Sequence, residues 1–452
     1  MSHSAGQSSL HKLSGWSRRE FLKATGLVAT AGGLVPNWMA DLSAAEDKPA
    51  ESDRPKVGSI GVGGQGTYIM TRALEFGDVI AVADADKNHM NRAKDEIQKR
   101  KAGLMVEQYG DYRQLLDRKD ISIVTIGSPD HWHTKMAIDA MRAGKDVYCE
   151  KPLTLTVKEG QQILKVMQET GKVLQVGTQQ RSENGMLFLR AIATVQSGQL
   201  GKIKKVTVQL PMSTAVGGPF EKKPVPENLN WDLWLGQAPA VDYCPERCHF
   251  SFRWWYEYSG GIITDWGAHH MDIAQWALGA GKSGPLTVDG SQTVLPKIEN
   301  GYNTPKEPKI HYTYPDDVAL ELTTGNEGVL FEGEKGRIFV NRGRITGKPV
   351  EEQDADKGLQ DKINGMVAEL YGKDRKPGNH MANFFESVKT RKTPVSDAES
   401  QHRTSSACHI GNIAIRLQRK LTWDPVKEQF VGDDEANAML TRVQRAPYQI
   451  DA

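Results

Sequence analysis

The stretch Val57-Gly58-Ser59-Ile60-Gly61-Val62-Gly63-Gly64-Gln65-Gly66 runs from an apolar strand-like segment into an amphipathic one. Glycine-rich turns are common, so the G-x-G-x-x-G spacing alone says little. The context makes it informative: a strand before it, a helix after it, and Asp84 closing the second predicted strand 18 positions past Gly66. Gly61 permits the tight turn, Gly63 lets backbone N–H groups approach a diphosphate, and Gly66 lets the helix pack closely. Gly64 and Gln65 complete a cradle at the positive end of that helix. Asp84 is expected to accept hydrogen bonds from both ribose hydroxyls, and its charge disfavours a 2′-phosphate. NAD is therefore preferred, while nearby Lys87 and Arg92 keep NADP open.

Outward from this turn, predicted strands at 57–60, 79–83, 123–126, 147–149 and 173–176 alternate with predicted helices at 65–75, 87–101, 131–143 and 157–170. Such alternation predicts a doubly wound parallel sheet, a Rossmann domain over residues 55–178. Ligands of these sheets bind at the carboxyl ends of the strands. That rule places Ser128, Pro129 and His133, in the segment Gly127-Ser128-Pro129-Asp130-His131-Trp132-His133, in the cofactor cleft. It does the same for Glu150 and Lys151 of Glu150-Lys151-Pro152.

With these motifs the chain resembles the glucose–fructose oxidoreductase / inositol dehydrogenase (Gfo/Idh/MocA) family. The likeness extends through Gly260-Gly261-Ile262-Ile263-Thr264-Asp265-Trp266-Gly267-Ala268-His269-His270-Met271-Asp272 and Trp276, and covers about residues 54 to 424. The resemblance implies an α/β Rossmann domain followed by an α+β domain, here over 179–424, whose open, mostly antiparallel sheet often forms an oligomer interface. It implies oxidation or reduction of a secondary alcohol or carbonyl of a sugar or cyclitol. It also implies that Lys151, Asp265 and His269 meet at the nicotinamide as catalytic residues.

The chemistry of these residue types agrees. Asp265 and His269, four apart at helical spacing, can share one face. His269 titrates in a range suited to moving a hydroxyl proton. Asp265 can orient the substrate or the imidazole. Lys151 can polarise the reacting oxygen, and desolvation can bring its ammonium toward neutrality. Asp272 is expected to bind another hydroxyl. Adjacent His269 and His270 diverge by about 100° on a helix, so no metal is expected there.

The substrate half begins with a predicted helix over 181–201 and a strand over 204–210. A loop-rich insert, 211–253, carries Trp231 and Trp234 and ends in Phe252-Arg253-Trp254-Trp255-Tyr256. Arg253 and Tyr258 are the expected substrate contacts, because aromatic faces beside bidentate donors suit a carbohydrate. Cys244 and Cys248 are one residue too far apart for a C-x-x-C-H site; a disulfide and two free buried thiols both remain open. Alternating runs at 310–313, 318–322, 328–332 and 337–340 read as an antiparallel meander. A charged stretch over 347–376 reads as a surface excursion, two closing helices cover 380–390 and 399–417, and a tail follows from 425.

Composition fits this picture. The chain has 452 residues, 38% hydrophobic and 25% charged, with a net charge of +1, which argues against bulk electrostatic attachment to nucleic acid or membrane. Its start carries Ser17-Arg18-Arg19-Glu20-Phe21-Leu22-Lys23, an apolar run over 24–35 and small residues at Ser43-Ala44-Ala45. This is the twin-arginine form of an export signal, 1–45, read by the translocation machinery; 46–54 forms a flexible lead-in. The apolar run is about 12 residues against the roughly 20 needed to span a bilayer, so no permanent anchor is expected. Removing the signal takes Lys12, Arg18, Arg19, Lys23, Glu20 and Asp41 with it and turns the net charge to −1.

A periplasmic enzyme is cut off from the soluble NAD pool. A tightly bound cofactor, inserted before export, is therefore expected, and turnover must regenerate it in place. The sequence favours an oxidoreductase working on a carbohydrate. The alternatives are a redox-neutral glycoside hydrolase or lyase acting through a transient keto-sugar, and a non-catalytic NAD-binding sensor.

Overall fold

The computed structural model describes residues 54–451. The expected twin-arginine signal, 1–45, lies outside the described residues, as does most of the expected lead-in. The lead-in closes in a buried anchor: Arg54 donates to Asp78 Oδ1 at 3.0 Å and to the carbonyls of Leu74 and Gly77.

The first half alternates as its periodicity predicts. β1 (Lys56–Ile60), β2 (Asp78–Ala83), β4 (Ile123–Ile126), β5 (Asp146–Glu150) and β6 (Leu174–Gly177) are joined by α1 (Gly64–Ala73), α2 (Lys87–Arg100), α4 (Asp130–Arg142) and α5 (Val157–Thr170). Two short elements were not anticipated, β3 (Glu107–Tyr109) and α3 (Tyr112–Leu116). The strands form one parallel sheet in the order β3-β2-β1-β4-β5-β6. The order reverses between β1 and β4, and that switch point opens a crevice above both strand ends. Near-continuous apolar strands such as Ile123–Ile126, buried throughout, are what a sheet covered on both faces requires.

The second half holds a nine-stranded sheet in the order β13-β12-β11-β7-β10-β9-β8-β14-β15. Its strands are β7 (Ile203–Leu210), β8 (Thr287–Asp289), β9 (Ile310–Tyr314), β10 (Val318–Thr324), β11 (Gly328–Gly333), β12 (Gly336–Val340), β13 (Ile345–Thr346), β14 (Lys420–Asp424) and β15 (Gln429–Phe430). The expected meander is interrupted. β7 inserts between β10 and β11, parallel to the first and antiparallel to the second.

One face of this sheet, with Val206, Val208, Leu320, Leu322 and Phe331 buried, packs under α6 (Leu187–Gln196), α9 (Gly267–Ala277) and α13 (Ala398–Leu417). Each such side chain contributes about 1.5–3 kcal/mol by leaving water. The other face carries half-buried Lys205, Thr207, Glu321 and Thr323.

Three expectations need correction. The helix predicted from 181 starts only at Leu187, because Asn184, Gly185 and Met186 all take left-handed backbone (φ 58, 60 and 59), which no right-handed helix accommodates. The stretch 347–376 lies largely at the surface but is built of two unanticipated helices, α10 (Lys348–Ala355) and α11 (Lys357–Tyr371), with Val350 and Ile363 buried. The residues past 425 pack back on the body: Arg442 donates to Glu159 at 2.8 Å, and Tyr448 meets Trp132 edge-on at 5.6 Å. No helix among the described residues is long and apolar enough to cross a membrane.

Candidate active site

A cleft of about 660 Å³ opens at the switch point, within the roughly 300–1,000 Å³ of small-molecule sites. Its floor is the glycine turn. Gly61 has φ 70, which favours glycine, and a Cβ there would collide with the Ser128 backbone. A Cβ on Gly66 would collide with the Gly61 carbonyl, while Gly64 faces nothing within 4 Å. The turn is thus closed from below and open toward the cleft over the α1 N-terminus. Among the described residues, Ser128 Oγ and Glu150 Oε2 are buried without a partner, and both residues line the cleft. These features fit a dinucleotide: Gly61, Gly63, Gly64 and Gln65 would hold its diphosphate and Asp84 its ribose.

Asp84 directly follows β2, with its carboxylate already engaged. Oδ2 accepts from Val62 N at 2.8 Å and Oδ1 from Asp86 N at 2.9 Å. His89 Nδ1 stands 3.3 Å from Oδ2. Burial opposes a charge on His89, but the Asp84 hydrogen bond and the charges of Asp84 and Asp86 prevail and raise its pKa.

The far end of the cleft joins both halves of the chain. Lys151 leaves β5 and donates from Nζ to Asp265 Oδ1 at 2.5 Å and to the Asp265 carbonyl at 3.1 Å. The Lys151 ammonium is thus ion-paired. Arg253 Nε lies 3.4 Å from the same carboxylate oxygen. Burial by itself would raise the Asp265 carboxyl; the Lys151 and Arg253 charges overcome it and hold it below its usual range.

Asp265 ends a short helix, α8 (Ile262–Asp265), and His269 lies in the first turn of α9, with Trp266 at the joint. His269 is buried, its Nδ1 has no partner among the described residues, and it lines the cleft. Burial, reinforced by the charges of Lys151 and Arg342, pushes its pKa well below the usual histidine range, so the imidazole is neutral near pH 7. Its neighbour His270 turns away, with Nε2 3.0 Å from Glu327 Oε1.

Other residues at the strand ends act as splints. The ring nitrogens of His133 lie 2.7 Å from the Pro152 carbonyl and 2.9 Å from the Ser128 carbonyl, tying two strand ends together. Glu150 Oε1 accepts from Gln65 and Gln179, joining the glycine turn to the end of β6. Pro129 caps α4 at the cleft wall.

Two expected substrate contacts are not at the cleft. Asp272 is buried in a bidentate pair with Arg181 (2.5 and 2.7 Å), also accepts from Gln401 and Thr404, and does not line the cleft. Tyr258 is fully buried against Trp234 and His131, and its hydroxyl accepts from Arg247 at 3.3 Å. Trp231 and Trp234 stack on each other at 4.8 Å and fasten the insert. Cys244 and Cys248 are free, buried thiols.

Sequence reading missed Gln180, Glu183, Trp266 and Arg342, all of which line the cleft. Arg342, in the turn between β12 and β13, stacks over Trp266 at 4.3 Å. With the Gln180 amide nitrogen donating to the His269 carbonyl at 3.1 Å, its oxygen accepts from Arg342 Nε at 3.1 Å. The strand-end rule, extended to β6, could have found Gln179 and Gln180; no local pattern marks Arg342.

Comparison with known proteins agrees with this geometry. Residues 56–178 match the oxidoreductase family NAD-binding Rossmann fold, and residues 194–450 match the oxidoreductase family C-terminal alpha/beta domain. An alpha-N-acetylgalactosaminidase of Shewanella oneidensis is 38% identical over 173 residues, 34% of this chain and 38% of that protein. A glycosyl hydrolase family 109 protein of Shewanella putrefaciens is 36% identical over the same length. The chain thus spans less than two fifths of the curated relatives it matches. Among solved structures, the WlbA dehydrogenase of Chromobacterium violaceum, in complex with NADH and UDP-GlcNAcA, superposes with a TM-score of 0.60 at 15% identity, over 84% of this chain and 99% of that one. The aldose–aldose oxidoreductase of Caulobacter crescentus gives 0.57 at 16%, over 82% and 99%. These likenesses speak for the fold. With both halves matched, the chain belongs to the Gfo/Idh/MocA oxidoreductase family, and its first half is an NAD-binding Rossmann domain.

Proposed function

We propose that the protein transfers a hydride between a tightly held NAD and a secondary alcohol or carbonyl of a sugar or cyclitol, oxidising one substrate and reducing a second in turn, after export by the twin-arginine route. The observation that carries this reading is the meeting of Lys151, Asp265 and the unpartnered Nδ1 of His269 in the cleft whose floor is the glycine cradle. When bound, NAD supplies the two-electron acceptor. Asp265 holds the Lys151 ammonium by side chain and carbonyl, leaving a third N–H to bind the reacting oxygen. The neutral His269 imidazole takes the hydroxyl proton and returns it on reduction. Arg253, Arg342 and the Trp266 face supply donors and an apolar wall for the rest of the sugar. The paired half-buried face of the nine-stranded sheet is the surface through which copies of the chain would associate.

A second reading has its own support in the names of the relatives, alpha-N-acetylgalactosaminidase and glycosyl hydrolase family 109 protein. The same residues then perform a redox-neutral cycle. A transient ketone acidifies the neighbouring C–H, the glycosidic bond breaks by elimination, water adds, and the ketone is reduced back. Absorbance at 340 nm separates the two. Persistent reduced nicotinamide on adding free sugars supports net oxidation, whereas release of aglycone from an N-acetylgalactosaminide without net reduction supports the cycle. Protein purified from cytoplasm that neither carries nor takes up NAD would overturn both.

A further inference from the structure

We propose that His249, reaching across from the substrate-binding half, and His89 on α2 form a clasp over the adenosine ribose that keeps the cofactor captive between turnovers. The proposal rests on the NAD reading of the cleft and concerns what retains the nucleotide there.

His249 opens a 3₁₀ segment, His249–Trp254, with φ 50. A non-glycine residue holds that left-handed conformation at a cost, and such strain persists only where surrounding contacts impose it. Here it delivers the imidazole to His89, ring centroids 4.6 Å apart, and Nε2 to 3.3 Å from Asp86 Oδ2. His89 is anchored on its other side by Asp84, and its ring stands 3.2 Å from where a Cβ on Gly63 would project. One imidazole is therefore fixed to the ribose acid and the diphosphate glycine. The other arrives from 160 residues further along the chain.

The insert is stitched to the loop that follows β2. Lys87 N donates to the Asn228 carbonyl and Asn230 N to the Ala85 carbonyl, both at 2.9 Å, and Asn228 Nδ2 donates to Asp86 Oδ1 at 2.7 Å. Phe250, 66% exposed, stands next to His249 on the cleft wall. Asp84 has spent one lone pair of Oδ1 on Asp86 N, and its Oδ2 faces both Val62 N and His89. It retains capacity for one ribose hydroxyl, so the second needs another partner. The histidine pair supplies it, and the stitched insert bars the adenosine end from leaving first.

The test uses the full chain purified from cytoplasm. Nucleotide per chain is measured after gel filtration, and release is followed by loss of bound NADH fluorescence on dilution into excess NAD. Wild type is expected to retain nucleotide, with His249→Ala releasing it about tenfold faster, the scale of one lost hydrogen bond. Phe250→Ala should lie between. His249→Gln serves the same comparison if the alanine variant does not fold. Unchanged release from a folded His249 variant overturns the clasp while leaving the NAD reading intact. Wild type that takes up no nucleotide overturns the NAD reading itself. Asp86, His89 and His249 also present ligand atoms within 4.8 Å of one another. Retention lost on adding a chelator and restored by zinc would replace the clasp with a metal ion.

Discussion

Lys151 Nζ and Asp265 Oδ1 lie 2.5 Å apart although 114 residues separate them in sequence. The pair joins the end of β5 to the joint at Trp266, so the two halves of the chain meet at one end of the cleft. Each residue alone is an ordinary charged side chain. Together they form a cation aimed by its own counter-ion, with a neutral histidine alongside.

Lys151→Ala should therefore lower turnover by about 10²–10⁴-fold, the range of a positioned proton-transfer or polarising group. Nucleotide content should stay unchanged, because the glycine cradle and Asp84 are at the other end. Stopped-flow absorbance at 340 nm together with nucleotide per chain checks both parts. Wild-type turnover in this variant would remove Lys151 from the chemistry.

What sequence could reveal depended on how far apart the partners stand. Five of the six strands of the first sheet were legible within a residue or two, because each is a short apolar run punctuated by glycine or a charged cap; the edge strand β3, Glu107-Gln108-Tyr109, carries no such run and was missed. Lys151, Asp265 and His269 were legible through short motifs. Asp272 was misread because a buried carboxylate facing Arg181 and one facing a substrate look identical in one dimension. Arg342 went unnoticed since only the register of β12 against β11 and β13 carries it to Trp266. The insertion of β7 between β10 and β11 is likewise a fact of long-range pairing, invisible to local alternation.

The Arg181–Asp272 pair offers a direct check of that correction. Asp272→Asn removes the charge that neutralises a guanidinium buried on all sides, a loss of roughly 3–5 kcal/mol for such pairs. Denaturant unfolding should show it. The Michaelis constant of the remaining folded protein should stay within about twofold, since one uncompensated kcal/mol at a substrate contact would already shift it by more. A selective rise in that constant would return Asp272 to the substrate site.

Arg342 should behave the opposite way. It has no carboxylate within salt-bridge distance among the described residues and stacks openly on Trp266. Arg342→Ala is expected to raise the Michaelis constant about tenfold, the value of one charge-assisted hydrogen bond, with little loss of stability. Equal Michaelis constants for the two proteins would place the sugar elsewhere in the cleft.

Buried histidines weaken the fold toward acid. Burial pushes His131 down to about 3 and His380 and His409 down to about 4, against 6.5 when unfolded. Between those values the unfolded chain binds protons that the folded chain refuses. Stability is thus complete above pH 6.5 and falls as pH drops through 6 toward 4. Thermal midpoints from pH 8 to 4 should decline over that window, and His380→Gln, which still offers a donor to Val176, should flatten the decline. A midpoint constant down to pH 4 would contradict the burial of these rings.

His269 carries the same sign into catalysis. Its depressed pKa comes first from burial and then from the charges of Lys151 and Arg342. An imidazole that must be neutral to accept a proton stays competent below the usual histidine range, so the acid limb of turnover should lie well under pH 6.5. Removing one of the cations, as in Arg342→Gln, relieves part of the repulsion that disfavours the imidazolium. The limb should then move up toward neutrality while burial still holds it below the ordinary value. Saturating-substrate rates from pH 4.5 to 8, taken on both proteins over the interval in which each stays folded, decide the matter. A limb near 6.5 in wild type, or one that moves down in Arg342→Gln, would show that the proton is taken by another group.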